Sequence, residues 1–279
     1  MSTQSYTGAV ATAREYYNSN DADRFYHNVW GGEDIHIGLY EDDQEPIADA
    51  SRRTVAHMAD LLGELGPDHR VLDLGAGYGG SARYLATTFG CPVVALNLSE
   101  VENERDREMN KAVGLDHLIE VLDASFEDVP YADGHFDVVW SQDSFLHSGD
   151  REKVVQEAAR VLKPGGVLIF TDPMQTDDCP QGVLQPILDR IHLETLGSPA
   201  FYRETAKKYG LVEIGFEDHS HQLPRHYGRV LQETKASEPS LEVLISAEYI
   251  ERMKTGLQHW VNGGNNGYLA WGIFRFRKA

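Results

Sequence analysis

The sequence predicts an α/β fold: a parallel sheet with helices on both faces and a helical cap. Three observations carry that expectation. Short apolar runs alternate with amphipathic stretches from Val71 to Thr171, the pattern of a sheet buried on both sides. The first run feeds V-L-D-L-G-A-G-Y-G-G at 71–80, where Gly75, Gly77, Gly79 and Gly80 mark a tight strand-to-helix turn. Asp73, Asn97, Asp123 and Gln142 fall at the ends of successive runs. In such sheets ligands sit at the carboxyl ends of the strands, so these four residues should converge on one cleft.

The elements follow in order. Residues 1–20 start polar, and then Tyr16, Tyr17, Phe25, Tyr26 and Trp30 crowd near Gly31, Gly32 and Gly38. This segment reads either as a pocket wall or lid, or as chain packed onto the core. Val55, Met58, Leu61, Leu62 and Leu65 repeat with a helical period, so a helix is expected over 47–65, ended by Gly66-Pro67. Strands are expected at 71–74, 92–96, 117–122, 136–140 and 167–171. Helices are expected at 81–89, at 100–113 behind a Ser99 cap, and after an Asp150 cap. Further on, 189–196 looks helical, Ser198-Pro199 starts a helix that Gly210 closes, and 211–216 reads as a strand. Residues 222–260 read as mostly helical with breaks near 237–240, and 268–276 as a last strand. No flexible linker appears. The chain divides into an N-terminal segment (1–66), a ligand-binding core (67–172) and a completion with helical cap insertions (173–279).

Composition removes several function classes. The 279 residues carry 44 acidic against 25 basic side chains, a net charge of −19. Nucleic-acid binding needs a basic footprint, which is missing. A Lys-poor acidic surface suits a salt-rich cytoplasm, where screening relieves self-repulsion; an ordinary acidic bacterial enzyme is the alternative. No apolar run reaches membrane-helix length and no signal-peptide pattern opens the chain, so a cytoplasmic protein with no membrane partner is expected. Cys91 and Cys179 match no metal or redox spacing, and no metal is expected. Oligomeric state leaves no mark on the sequence, and a monomer suffices for what it shows.

Gly75, Gly77 and Gly80 also satisfy G-x-G-x-x-G, the dinucleotide fingerprint. A nicotinamide dehydrogenase would place an acid after its second strand, but Asn97 stands there. Asp73 before the glycines and Asp123 after the third strand form a different set. With F-D-V-V-W at 136–140 and L-K-P-G-G at 162–166, residues 70–172 resemble the class I methyltransferases that use S-adenosylmethionine. The resemblance implies a seven-stranded, Rossmann-like sheet. It also implies that Gly75, Ala76 and Gly77 approach the methionine moiety, with Asp73 organising the turn. Asn97 and Leu98 would hold the ribose, Asp123, Ala124 and Ser125 the adenine, and Gln142 and His36 would sit near the donor. Asn97 departs from the Asp or Glu of many relatives.

Two further stretches concern the acceptor: S-Q-D-S-F-L-H at 141–147, and Tyr17 through Gly38. Together they resemble methyltransferases of small amines: the phosphoethanolamine enzymes and, along the whole chain, the sarcosine/dimethylglycine N-methyltransferases of betaine synthesis in halophilic bacteria. That resemblance makes His147 and Tyr17 a pair that closes the site, faces Asp143 toward the amine, and gives Arg190 a carboxylate to hold. His147 has a suitable unperturbed pKa to take the amine proton. Tyr26 and Trp30 offer π faces to a cation. The alternatives are phosphoethanolamine N-methylation, lipid or sterol C-methylation, and a non-catalytic S-adenosylmethionine sensor.

Overall fold

The computed structural model describes residues 20–30 and 32–279. Tyr17 lies outside the described residues. Two helices precede the sheet, α1 (Asn20–Val29) and α2 (Ile47–Leu62). Strand β1 (Val71–Leu74) and helix α3 (Gly80–Phe89) carry the glycine turn between them. The alternation continues with β2 (Val93–Asn97), α4 (Glu100–Ala112), β3 (Ile119–Asp123), β4 (Phe136–Gln142), α5 (Arg151–Val161) and β5 (Leu162–Thr171). Ser99 caps α4 by accepting from the Glu102 N–H, and Asp150 caps α5 by accepting from the Lys153 N–H, as the residue types at those positions predict.

Downstream lie β6 (Met174–Gln175), α6 (Gln185–Ile191), α7 (Pro199–Lys208), β7 (Leu211–Asp218), α8 (Gln222–Ala236), α9 (Glu238–Leu241), α10 (Ala247–Asn265), β8 (Leu269–Ala270) and β9 (Gly272–Lys278). The main sheet has seven strands in the order β3-β2-β1-β4-β5-β9-β7. Strands β1 to β5 are parallel, whereas β9 runs antiparallel to both β5 and β7. The strand order reverses between β1 and β4, and a cleft opens at that switch point.

Three details differ from the periodicity. Helix α2 stops at Leu62 because Gly63 turns left-handed (φ 77°), although apolar spacing runs on to Leu65. The helix expected at 189–196 begins earlier, with Pro186 in its first turn, and stops at His192 (φ 56°). The last apolar stretch splits: Leu269–Ala270 pairs with Met174–Gln175, and only Gly272–Lys278 joins the main sheet.

Side-chain alternation along the central strands builds a core on each face. Leu72, Val139, Phe170 and Phe274 pack on one side; Val71, Trp140, Ile169 and Ile273 pack on the other with Met58 and Leu85. A third cluster joins α1 to the cap, where Phe25, Val29 and Trp30 meet Val230, Ile250, Met253 and Leu257. Phe25, Tyr26 and Trp30 therefore seat on α8 and α10.

Candidate active site

The glycine turn after β1 is tied to the neighbouring strand. The Gly75 and Ala76 N–H groups both donate to the Leu96 carbonyl at the end of β2, at 2.8 and 3.2 Å. Gly75 is left-handed (φ 79°), and a Cβ there would run into Ser144. Only glycine lets the turns after β1 and β4 approach this closely. Beside them lies a cavity of about 620 Å³. The turn after β1 gives it Gly75 and Gly77, the end of β2 gives Asn97 and Leu98, and the end of β4 gives Gln142 and Asp143.

Five residues expected at this cavity do not line it. Asp73 is buried beneath the turn, where burial and the nearby Asp106 and Asp34 push its carboxyl well up. Ala76 is buried beside it. The structure does not bring Asp123 to the cavity. Its carboxylate is exposed and takes hydrogen bonds from Asn103 and, at 3.1 Å, Arg107, because α4 lays both donors along it. Ala124 and Ser125 are buried in the following turn, and Phe126 takes the wall position.

The acid that position 97 does not supply arrives from α4. Glu102 lines the cavity, and its Oε2 accepts from the Asn97 amide nitrogen at 2.9 Å. Burial pushes this carboxyl up to about 7, while the Asn97 hydrogen bond opposes the rise. The sequence carries a signal for it: S-x-x-E at 99–102 has the form of a capping box, and here the glutamate turns to Asn97. Gln142 is also specific. Its carbonyl accepts from Ser81 Oγ (2.6 Å) and Trp140 Nε1 (3.1 Å), while its Nε2 is buried with no partner among the described residues.

Residues 32–38 form a partition. Arg52 pairs with Glu33 (2.7 Å) and Asp34 (2.8 Å), and Arg83 pairs with Glu33. Ser51 Oγ donates to the His36 carbonyl at 2.8 Å, and the Ile37 N–H donates to Asp143 Oδ2 at 2.7 Å. Ile35 and His36 thereby face the first cavity on one side and a second on the other. The second holds about 860 Å³ of space, and the helices and their ends supply it: Tyr26 from α1, Trp30 just after it, Arg190 from α6, His226 and Tyr227 from α8, Met253 and Trp260 from α10. Four residues line both cavities: Ile35, His36, Asp143 and His147. A group bound in one would meet a group bound in the other at these side chains.

Asp143 sits at a positive φ of 52°, a conformation that non-glycine residues hold only where the surroundings enforce it. Its second oxygen accepts from Trp271 Nε1 at 2.7 Å. Burial pushes its carboxyl up to about 6 against the pull of these hydrogen bonds. His147 rides on a 3₁₀ turn, Phe145–His147. Asp172 accepts from the Leu146 N–H (2.9 Å) and from Tyr202 Oη (2.7 Å), and Arg151 donates to the Leu146 carbonyl (2.9 Å). Burial, with the charges of Arg151 and Arg190 adding to it, pushes His147 down to about 4. It is therefore neutral at pH 7, and Asp143 is the stronger proton holder of the two. That order reverses the expectation from unperturbed values. His36 is pushed to about 3 by burial.

Phe126, His226, Tyr227, Met253 and Trp260 carry no motif that marks them as site residues. Most sit at helical spacing and read as core.

The sheet order, the glycine turn at the switch point and the joined cavities define a class I methyltransferase. The Methyltransferase domain family matches residues 72–170. The chain is 70% identical to the sarcosine/dimethylglycine N-methyltransferase of Halorhodospira halochloris over the full length of both. It is 54% identical to the enzyme of that name from Aphanothece halophytica, covering 95% of this chain and 96% of that one. A crystal structure titled as a sarcosine dimethylglycine methyltransferase from Galdieria sulphuraria superposes with a TM-score of 0.90 at 46% identity, covering 95% of this chain and 99% of that one. The chain belongs to the sarcosine/dimethylglycine N-methyltransferase family.

Proposed function

We propose that this chain transfers methyl groups from S-adenosylmethionine to the amine nitrogen of sarcosine and dimethylglycine, forming dimethylglycine and glycine betaine. The observation that carries the mechanism is the shared wall: a donor cavity and an acceptor cavity meet at Asp143 and His147. The residues of the first cavity fit the donor. Glu102 and Asn97 offer a carboxylate and an amide to ribose hydroxyls, Phe126 and Leu98 offer apolar surface to adenine, and the unspent Gln142 Nε2 offers a donor to the methionine end. Gly75 leaves space that a side chain would fill.

S-adenosylmethionine supplies an already activated methyl group, so the protein's part is positioning and proton handling. Asp143, fixed from both sides by Ile37 and Trp271, attracts the ammonium form of the substrate. As the stronger proton holder it takes the amine proton, leaving the nitrogen lone pair free for in-line attack. His147, neutral, completes the shared wall beside it. Tyr26 and Trp30, with ring centroids 5.0 Å apart, present π faces to the quaternary ammonium product. Arg190 reaches the acceptor cavity and holds the substrate carboxylate.

No helix among the described residues is long and apolar enough to cross a membrane. The acidic composition fits a reaction in a salt-rich cytoplasm. The test is an acceptor panel of glycine, sarcosine, dimethylglycine and phosphoethanolamine with labelled S-adenosylmethionine. Label is expected in dimethylglycine and betaine; a purified, folded enzyme that forms no betaine overturns the assignment.

A further inference from the structure

We propose that His226 anchors the substrate carboxylate through Nε2–H, as a neutral imidazole fixed in one tautomer. This rests on the amino-acid substrate proposed above. His226 is 0% exposed and lines the acceptor cavity. The backbone N–H of Gly38 donates to its Nδ1 at 3.2 Å. A peptide N–H only donates, so Nδ1 is unprotonated and the ring proton sits on Nε2. Tyr40 Oη, 3.0 Å from the same Nδ1, adds a second contact. Burial holds the ring neutral, pushing it down to about 3. Nε2 has no partner among the described residues.

The neighbouring indole repeats the pattern. Trp30 lies with its ring centroid 5.5 Å from that of His226, and its Nε1 is likewise buried with no partner among the described residues. Buried donors left unspent are costly and rare in native proteins. Two in one cavity point to a ligand that brings acceptors. Donors alone, with the Arg190 guanidinium on the same cavity wall, suit a carboxylate, which only accepts and carries one negative charge. The neutral ring adds selectivity without adding a second positive charge, so the cavity matches a monoanion better than a phosphate.

Two variants separate anchoring from architecture. In His226→Asn the side-chain oxygen replaces Nδ1 for Gly38 and Tyr40, but nothing reaches the Nε2 position. In His226→Gln the amide nitrogen reaches it. His226→Asn is expected to raise KM for dimethylglycine by ~10- to 100-fold, the usual effect of losing a hydrogen bond to a charged group. Its kcat should change less, S-adenosylhomocysteine affinity should be unaltered, and His226→Gln should recover part of the loss. A KM within about twofold of wild type, or cofactor affinity falling in step with KM in both variants, overturns the proposal. Wild-type betaine formation is scored separately. If wild type forms none, the amino-acid substrate itself is wrong; if it does and KM ignores the variants, only the anchor is wrong.

A second cluster lies outside both cavities. We infer that His57, Glu217 and His219 bind a divalent transition metal. His57 Nε2 and His219 Nε2 lie 2.7 and 3.4 Å from Glu217 Oε2, and all three ligand atoms fall within 4.8 Å of one another. A tetrahedral ion with bonds of ~2.0–2.1 Å places its ligands ~3.3 Å apart, so small side-chain rotations complete the site. Two imidazoles and a carboxylate suit zinc, cobalt or nickel, with an open position for water. The ion would join α2 to the end of β7. There the His219 N–H donates to the Trp271 carbonyl at 2.9 Å. Tag-free protein is titrated with Co²⁺ and Zn²⁺, beside a His57→Ala/His219→Ala double variant. One bound equivalent, cobalt visible absorption and a rise in Tm are expected for wild type only. Equal binding and equal Tm shift in both proteins, or no binding in either, overturns it.

Discussion

On the sheet side the donor cavity is walled by Gly75, Gly77, Asn97, Leu98 and Gln142, all from the turns and ends of β1, β2 and β4. Tyr26, Arg190, His226 and Met253 reach the acceptor cavity from four helices spread between residues 20 and 265. The first group is placed by parallel register, which pairs Asp73 with Ala95 and Trp140 and carries every strand end to one edge. The second is placed by helix packing, in which the same apolar faces that bury Val230 and Ile250 also present Tyr227 and Met253. The first cavity is therefore built by backbone topology, and the second by side-chain packing. A family can keep the first while the second drifts.

Substitutions can break or sharpen that contrast, beginning with the wall the two cavities share. Asp143→Asn is expected to cost the most, lowering kcat by ~10²- to 10⁴-fold as for loss of a general base, in steady-state betaine assays. His147→Ala, neutral already, should cost less; a larger loss there would restore histidine as the proton acceptor. In wild type the ionised Asp143 is the working form. With its carboxyl at about 6, kcat/KM should hold above that pH and fall below it. The limb in kcat should lie at lower pH, because a bound ammonium favours the charged carboxylate. The pH–rate profile of Asp143→Asn should lack the limb.

Next comes the donor cavity alone. Glu102→Ala is expected to raise the Kd for S-adenosylhomocysteine by ~10- to 100-fold and leave the KM for dimethylglycine nearly unchanged, by calorimetry and kinetics respectively. Trp271→Phe removes one of the hydrogen bonds to the Asp143 carboxylate and should lower kcat by ~10-fold. The smallest effect belongs to Asp123→Asn. Its carboxylate is bonded to Asn103 and Arg107 on an exposed edge, so cofactor affinity should move by less than about threefold. A large loss would return Asp123 to the adenine.

Legibility in the sequence follows the same divide. The Ser99 and Asp150 caps, the glycine turn and the strand ends Asn97 and Gln142 were readable because each depends on chemistry within a few residues. Glu102 was half-legible: its capping-box spacing was visible, but its turn toward Asn97 is a tertiary choice. His226 and Trp260 were not legible, since polar or aromatic residues at helical spacing look the same in a core and in a cavity. The antiparallel entry of β9 between β5 and β7 was equally hidden, because an apolar strand pattern fixes burial and leaves direction open.

By itself the sequence determined the sheet, its glycine turn, the donor class and, through full-length resemblance, the family. Local hydrogen bonding and hydrophobic period suffice for the first two, and contiguous motifs for the rest. Only the tertiary structure decided that residues 32–38 form a wall between two cavities, that Glu102 and not Asp123 lines the first of them, and that burial leaves His147 the weaker proton acceptor beside Asp143. Those outcomes depend on which groups lose water together, and desolvation is a property of the packed neighbourhood that no single stretch of chain contains.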